Sequence, residues 1–190
     1  MRGRIAVLGA LAAVPAVVAA AVPGELAVQP GSRVWVAGES NTSSFRCESA
    51  APSGGAAAGL DLPRAGTVGR AEIVVPVSTL ACGVQTMDEH LRDALRAGTS
   101  PDIRFAARRV RLAPARDGWT ATLEGPLSIA GQTRPVRVVA AVTRENGQLR
   151  ARGATPLRIT RWGIAPPTLM KREVVVRPAV TVGFDVLLKP

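Results

Sequence analysis

Residues Val77–Phe105 read VSTLACGVQTMDEHLRDALRAGTSPDIRF, and this stretch decides the fold because it places one short helix between two strand-like runs. Thr86 and Glu89 have the spacing of a capping box, which predicts the helix start. Gly98 offers a left-handed C-cap, so we expect a helix over about residues 86–97. Its apolar face consists of Met87, Leu91, Ala94 and Leu95. A helix this short is unstable alone in water and must pack on the neighbouring sheet.

Most of the remaining sequence alternates apolar and polar residues with period two, which predicts half-buried strands. The strand-like runs are Ser32–Ala37, Ser43–Ser49, Arg70–Val77, Ile103–Leu112, Trp119–Ile129, Arg134–Thr143, Leu149–Thr160 and Ala179–Leu188. Short connections between them favour an all-β, antiparallel domain of about eight strands. Such sheets close into barrels or fold into sandwiches, because both arrangements protect exposed edges.

Local signals add detail to these strands. The apolar phase slips after Ala107, which predicts a bulge at Arg108–Arg109. Asn146-Gly147 carries the signal of a tight hairpin turn. Pro52–Gly59, PSGGAAAG, is rich in small residues, and we expect a flexible loop there.

The N-terminal residues have the pattern of a secretory signal peptide. Arg2 and Arg4 precede an apolar run that ends in small residues, which predicts cleavage near Ala19–Ala21. An uncleaved membrane anchor is the alternative, since the run is long enough to span a bilayer. We therefore expect a signal peptide over residues 1–21, one domain over 22–190, and a periplasmic or secreted location.

The chain has two cysteines, Cys47 and Cys82. An even cysteine count in an exported chain predicts one disulfide, with two buried free thiols as the alternative. Two cysteines and the single histidine do not make a typical four-ligand zinc site without carboxylates. We predict neither a metal nor a cofactor.

The formal net charge is +10, and all but two of the 24 basic residues are arginines. This predicts either a solvated basic surface or attraction to an anionic membrane surface or envelope polymer. Nucleic-acid binding is disfavoured, because tyrosine is absent and no basic stretch is interleaved with stacking residues.

Four motifs occur in a fixed order along the chain. They are the IVVPVSTL strand end (73–80), the MDEHLRDAL helix (87–95), the SPDIRF strand (100–105) and the GPLSIAGQTRPV hairpin (125–136). In this order they resemble the YceI-like family, as do Gly163–Pro167 and the position of Cys47. The resemblance covers about residues 31–188. The absence of tyrosine and the Ala58-Gly59-Leu60 segment depart from the family's common form.

The resemblance implies a lipocalin-like antiparallel barrel whose elongated apolar cavity binds polyisoprenoids or similar amphiphiles in the bacterial envelope. The apolar inner faces of the strands suit such a ligand. The predicted lining residues are Trp35, Phe45, Phe105, Leu127, Ile129, Val138 and Phe184. Arg161 and Lys171-Arg172 are candidates for contact with a polar head group, and solvated loop charge is the simpler interpretation.

Catalysis is not predicted. His90 is the only histidine, and it lies opposite the apolar helix face or at its border, as a surface residue would. The favoured function is a non-catalytic, exported carrier of a long-chain isoprenoid or similar amphiphile. The alternative is an envelope interaction module whose barrel is filled by its own side chains and which acts through its basic surface.

Overall fold

A computed structural model describes residues 25–58, 62, 66–169 and 174–190. The described chain is almost entirely β-structure. The strands are β1 (Glu25–Val28), β2 (Arg33–Ser40), β3 (Ser44–Ser49), β4 (Ser53–Ala57), β5 (Gly66–Val68), β6 (Ala71–Pro76), β7 (Asp102–Ala107), β8 (Arg109–Ala115), β9 (Gly118–Ile129), β10 (Gln132–Glu145), β11 (Gln148–Arg158), β12 (Thr168–Leu169) and β13 (Val174–Lys189). One α-helix, α1 (Gln85–Ala94), and two 3-10 helices, Val77–Thr79 and Ile159–Trp162, interrupt them.

The strands close into an antiparallel barrel with eight positions, as the sequence predicts. Four of the eight barrel strands are interrupted, and each consists of two consecutive strands, namely β1 with β2, β3 with β4, β5 with β6, and β7 with β8. The other four are β9, β10, β11 and β13. Both β1 and β2 pair with β13, so the first and last positions join and leave the ring without a free edge there.

The long hairpin of β10 and β11 turns where the sequence predicts it. Glu145 pairs with Gln148, and the two residues between them have positive φ angles, 50° at Asn146 and 75° at Gly147. Two consecutive residues in the left-handed region form the turn whose twist matches that of the strands. The Asn-Gly signal is therefore confirmed.

The predicted bulge is also present. Phe105 of β7 pairs with Leu127, but Arg109 of β8 pairs with Glu124, so the register shifts by one residue across Arg108. The backbone N–H of Arg108 still donates to the Glu124 carbonyl at 3.0 Å. Gly125 lies opposite, where a Cβ would come within 2.1 Å of the Ala106 carbonyl oxygen. Glycine is needed there because the bulged backbone approaches so closely.

The prediction of a flexible loop over Pro52–Gly59 was wrong. Residues Ser53–Ala57 form β4, which pairs with β1 on one side and β6 on the other. A Cβ at Gly54 would lie 2.1 Å from the Glu72 carbonyl oxygen, and one at Gly55 would lie 2.3 Å from that of Leu26. Small residues allow this strand to run between close neighbours, so its sequence lacks the apolar alternation by which strands are recognised.

Helix α1 is present but differs at both ends from the prediction. Val84 is its N-cap and makes no side-chain cap, so the capping box of Thr86 was wrong. Asp88 instead reaches back, and its Oδ1 accepts a 2.6 Å hydrogen bond from the Cys82 N–H. The helix ends at Ala94, and Arg96 rather than Gly98 takes the left-handed conformation, with φ 56°.

The helix closes one end of the barrel, which we call the helix end; the opposite end, where Asn146 turns, is the far end. Leu91, Ala94 and Leu95 pack against a core cluster that contains Val75 and Trp162. This confirms that the apolar face of the helix packs on the sheet. A second core cluster, around Leu26, Leu112 and Leu149, lies toward the far end.

Several predictions concern residues outside the described part of the chain. They are the signal peptide over residues 1–21, the Gly59-Leu60 segment and the Lys171-Arg172 pair. Among the described helices, none combines the length and the apolar character needed to cross a membrane.

Candidate functional site

The inside of the barrel holds two adjoining cavities. The first lies toward the far end, between residues such as Leu26, Phe105 and Leu188, and has an empty volume of about 1330 Å³, including space open to solvent. The second lies beneath α1, between residues such as Phe45, Leu91 and Ile164, and has about 1190 Å³ on the same measure. The described barrel is therefore not filled by its own side chains.

The two cavities meet at a ring of aliphatic side chains that we call the waist. Its residues line both cavities and are Val34, Val75, Ile103, Leu127, Leu157 and Val182. They come from six different strands, so the waist encircles the interior. Because the same side chains bound both spaces, the two cavities adjoin at the waist, and we refer to them together as the channel.

Six of the seven predicted lining residues border this channel with their side chains on its inner face. Phe105, Val138 and Phe184 line the first cavity, Phe45 and Ile129 line the second, and Leu127 lines both. Period-two alternation identified them, because alternate residues of a barrel strand face the interior.

Trp35 is the exception. It borders the second cavity, but its neighbours Val34 and Val36 pair with the inward Phe184 and Val182. Trp35 therefore points outward. There its indole lies over Gly183, where a Cβ would be 2.3 Å from the ring, and beneath the Arg46 guanidinium, 4.2 Å from the ring centroid. Trp35 thus borders the cavity while its indole covers the outer wall of the barrel, and its contact with a ligand stays a prediction.

Two inward phenyl rings lie flat against glycines on neighbouring strands. A Cβ at Gly38 would be 2.6 Å from Phe45, and one at Gly153 would be 2.5 Å from Phe184. Each glycine leaves room for the ring beside it, because a Cβ at that position would collide with the ring.

The disulfide forms part of the wall of the second cavity. Cys47 of β3 and Cys82, just before α1, are joined by a bond that encloses a sequence separation of 35 residues, and both line the cavity. The predicted pairing is confirmed. Beside it, β3 and the segment after β6 make one bridge, Glu48 with Ala81. The disulfide therefore ties the helix end to the barrel where regular strand pairing is sparse.

Trp162 lines the second cavity at the helix end and was not identified by the sequence analysis. It is fully buried, and its Nε1 donates a 2.9 Å hydrogen bond to the Leu127 carbonyl. Arg161 lies exposed beside it, with its guanidinium 5.6 Å from the centroid of the Trp162 ring. Trp162 follows no strand alternation because it sits in a 3-10 helix, and its position next to Gly163 was the available signal.

Comparison with known proteins identifies the family. The sequence model of the YceI-like domain matches residues 32–188. The chain belongs to the YceI-like domain family. None of the curated proteins compared with this chain matches it.

Solved structures share the YceI-like fold at low sequence identity. BcnA of Burkholderia cenocepacia is 18% identical, with a TM-score of 0.66 over 84% of this chain and 98% of its own. A polyisoprenoid-binding domain from Saccharophagus degradans, implicated in plant cell wall breakdown, is 11% identical, with a TM-score of 0.65 over 87% and 98%. The YCEI protein of Campylobacter jejuni is 16% identical, with a TM-score of 0.50 over 63% and 71%.

Polar side chains are scarce along the channel of this YceI-like domain. Among the described residues, Arg70 and Thr155 are the polar side chains that line the first cavity, and His90 is the one that lines the second. Arg70 and His90 are both exposed. The predicted surface position of His90 is therefore correct, although this residue also borders the rim of the second cavity. Within the described residues, no group of three or more potential metal ligands occurs.

A cluster of paired charges lies on the outer face of the YceI-like barrel. Arg150 donates two hydrogen bonds to Asp185, from Nε at 2.7 Å and from a terminal nitrogen at 2.6 Å, and Arg152 adds a third at 3.2 Å. These bonds hold the pKa of Asp185 below its usual value, against the opposing effect of burial. Hydrogen bonds from Thr143 and then Arg150 lower the pKa of Glu145, and Asp185 raises the pKa of Arg150. The cluster joins β10, β11 and β13 and faces away from the channel.

Proposed function

We propose that this protein is an exported, non-catalytic carrier that holds a long-chain isoprenoid or similar amphiphile in its barrel. The observation that carries the proposal is the pair of adjoining apolar cavities, which share the six side chains of the waist. An empty apolar channel is costly to keep in water, and an apolar chain is the ligand that its walls can bury favourably.

The similar domain from Saccharophagus degradans supports the choice of ligand class, since it is described as polyisoprenoid-binding. Two apolar cavities placed end to end inside one barrel favour a single slender chain over a bulky ring system. An eight-stranded barrel also has room for only one such ligand.

Native mass spectrometry of the protein purified from its own host tests the carrier function. We expect an adduct with the mass of an isoprenoid or similar lipid, and uptake of an isoprenoid alcohol by protein that has been stripped of lipid. Recovery of lipid-free protein alone, with no uptake from an excess of offered lipid, would contradict the proposal.

A pair of neighbouring variants localises the bound chain. Val182 points into the waist, whereas Thr181 is exposed on the outer face. Val182→Phe should block the channel and abolish the adduct, because the phenyl ring occupies the shared space. Thr181→Phe adds the same group outside and should leave the adduct in place. Equal adduct formation in both variants would show that the lipid binds elsewhere.

Export is supported by the signal-peptide pattern and by the disulfide, since structural disulfides persist in oxidising compartments. Fractionation of host cells and N-terminal sequencing test this part. We expect mature protein outside the cytoplasm, beginning close to Ala19–Ala21. A chain that retains Met1 in the cytoplasmic fraction would contradict export.

Transient contact with an anionic membrane surface would suit a basic carrier that must collect and deliver lipid. The support is the formal charge of +10, supplied mainly by arginine. Co-sedimentation with vesicles that contain phosphatidylglycerol should fall as salt is raised, because salt screens charge attraction. Binding that does not change with ionic strength would remove this part of the proposal.

A further inference from the structure

Thr155 places a hydroxyl group on the inner wall of the channel, next to the waist. It lies on β11, pairs with Val182, and lines the first cavity. Leu157, two residues further along the same face, is a waist residue. The hydroxyl therefore lies in the middle part of the channel, between the exposed Arg70 and the exposed His90.

Within the described part of the chain, the Thr155 hydroxyl has no hydrogen-bond partner. No side-chain oxygen or nitrogen there is both sealed from solvent and unpaired, so this hydroxyl must reach the open space of the channel. Apart from the exposed Arg70, the described residues that line this cavity with it are apolar. A bound chain that fills the channel would therefore displace water from the hydroxyl. The ligand would then be the remaining group that can form a hydrogen bond with it.

The fold itself does not require a hydroxyl at this position. Valine has the same shape and the same β-branched side chain, and it suits an inward strand position in an apolar barrel better. Leaving a hydroxyl without a partner in an apolar environment is unfavourable by an amount comparable to a lost hydrogen bond. The threonine is thus better explained by the ligand than by packing.

We propose that Thr155 forms a hydrogen bond with an uncharged oxygen of the bound amphiphile, such as an alcohol or carbonyl oxygen. This proposal rests on the carrier function proposed above. A hydroxyl both donates and accepts, so it matches either kind of oxygen. An uncharged oxygen suits this position better than a charged group, because the waist residues beside Thr155 are aliphatic and do not offset the desolvation of a charge.

Competition binding with two matched ligands tests the proposal. The probes are geranylgeraniol and the hydrocarbon of the same chain that lacks the hydroxyl, each displacing a fluorescent anilinonaphthalene dye from the channel. The ratio of alcohol affinity to hydrocarbon affinity should be about tenfold higher in wild type than in Thr155→Val, as one well-formed hydrogen bond provides. Thr155→Val should bind the hydrocarbon at least as tightly as wild type does.

Two further variants separate the hydroxyl from shape and folding. Thr155→Ser keeps the hydroxyl and should keep the wild-type ratio, while Thr181→Val removes a hydroxyl from the outer face of the neighbouring strand and should change nothing. The infrared carbonyl band of bound farnesylacetone gives a second readout. It should lie at lower frequency in wild type and Thr155→Ser than in Thr155→Val, because a hydrogen bond weakens the carbonyl bond.

The outcomes distinguish this proposal from the function on which it rests. If Thr155→Val has the same ratio of alcohol to hydrocarbon affinity as wild type and retains the carbonyl shift, the role of Thr155 is overturned and the carrier survives. If wild type binds neither ligand, the carrier function is overturned, and the role of Thr155 fails with it.

Discussion

The phenyl ring of Phe184 lies against the backbone of Gly153, on the inner face of the barrel where β13 pairs with β11. A Cβ on residue 153 would be 2.5 Å from the ring and 2.4 Å from the Val139 carbonyl oxygen. Real β-carbons do not approach other atoms so closely. The position of the Phe184 ring therefore depends on the absence of a Cβ at Gly153.

Gly153→Ala should accordingly damage both stability and binding. The added methyl must displace the Phe184 ring into the channel or push apart two paired strands, which costs about 1–3 kcal/mol. Denaturant unfolding measures the loss, and dye binding measures the narrowed cavity. Gly98→Ala is the control, since a Cβ there meets nothing within 4 Å and the φ angle is ordinary. Equal stability of the two variants would contradict the packing described for Phe184.

Removing the disulfide should loosen the helix end selectively. Replacing Cys47 and Cys82 together by alanine should lower the free energy of unfolding by about 3–4 kcal/mol, because a closed loop of this length restricts the unfolded chain. Hydrogen exchange should show the largest gain in Leu80–Leu95, which the bond ties to β3. Uniform loosening of the whole barrel would indicate that β3 and this segment hold together without the bond.

The outer-face cluster predicts a loss of stability in acid. Because Arg150 lowers the pKa of Asp185 in the folded protein, the ionised carboxylate stabilises the fold above the unfolded pKa, about 3.9. That contribution is lost as pH falls below this value toward the folded pKa. Unfolding of wild type and Asp185→Asn across this pH range measures it.

At neutral pH, Asp185→Asn should cost about 1–2 kcal/mol, and the cost should shrink as pH falls. Glu39→Gln is the control, because the ion pair of Glu39 with Arg177 is more than 60% exposed at both side chains, 63% and 64%. Its loss should change stability by less than about 0.5 kcal/mol at any pH. A cost for Asp185→Asn that does not vary with pH would contradict the assignment.

Trp162 should matter more for stability than the outward Trp35. Trp162→Phe removes buried volume and leaves the Leu127 carbonyl without its indole partner, so we expect a loss of about 2–3 kcal/mol. Trp35→Phe keeps an aromatic ring over the outer wall and should cost less than about 1 kcal/mol. Thermal unfolding compares the two, and a reversed order would contradict the placement of these side chains.

The alternating strands and the Asn146-Gly147 turn were predictable because each is encoded by neighbouring residues. Period-two alternation identified the inward phenyl rings, and the phase slip at Arg108 marked the bulge. The family motifs then distinguished a barrel from a sandwich. These features need no knowledge of distant contacts.

The features that were missed depend on tertiary contacts. Ser53–Ala57 is a strand because its glycines fit between two neighbouring backbones. A run of small residues does not by itself indicate such a fit. Trp35 points outward because Gly183, far along the chain, opens a place for its ring. In the sequence, Thr155 has no feature that distinguishes it from other strand residues. Its pairing with the inward Val182 shows that it faces the channel.

A crystal structure of the protein with a bound isoprenoid alcohol tests the central claim most directly. We expect continuous density for one chain that passes from the first cavity to the second between Leu157 and Val182, inside the barrel. An interior that remains empty while the lipid lies on the outer surface, or side chains that collapse to fill the waist, would contradict the claim that this channel is the binding site.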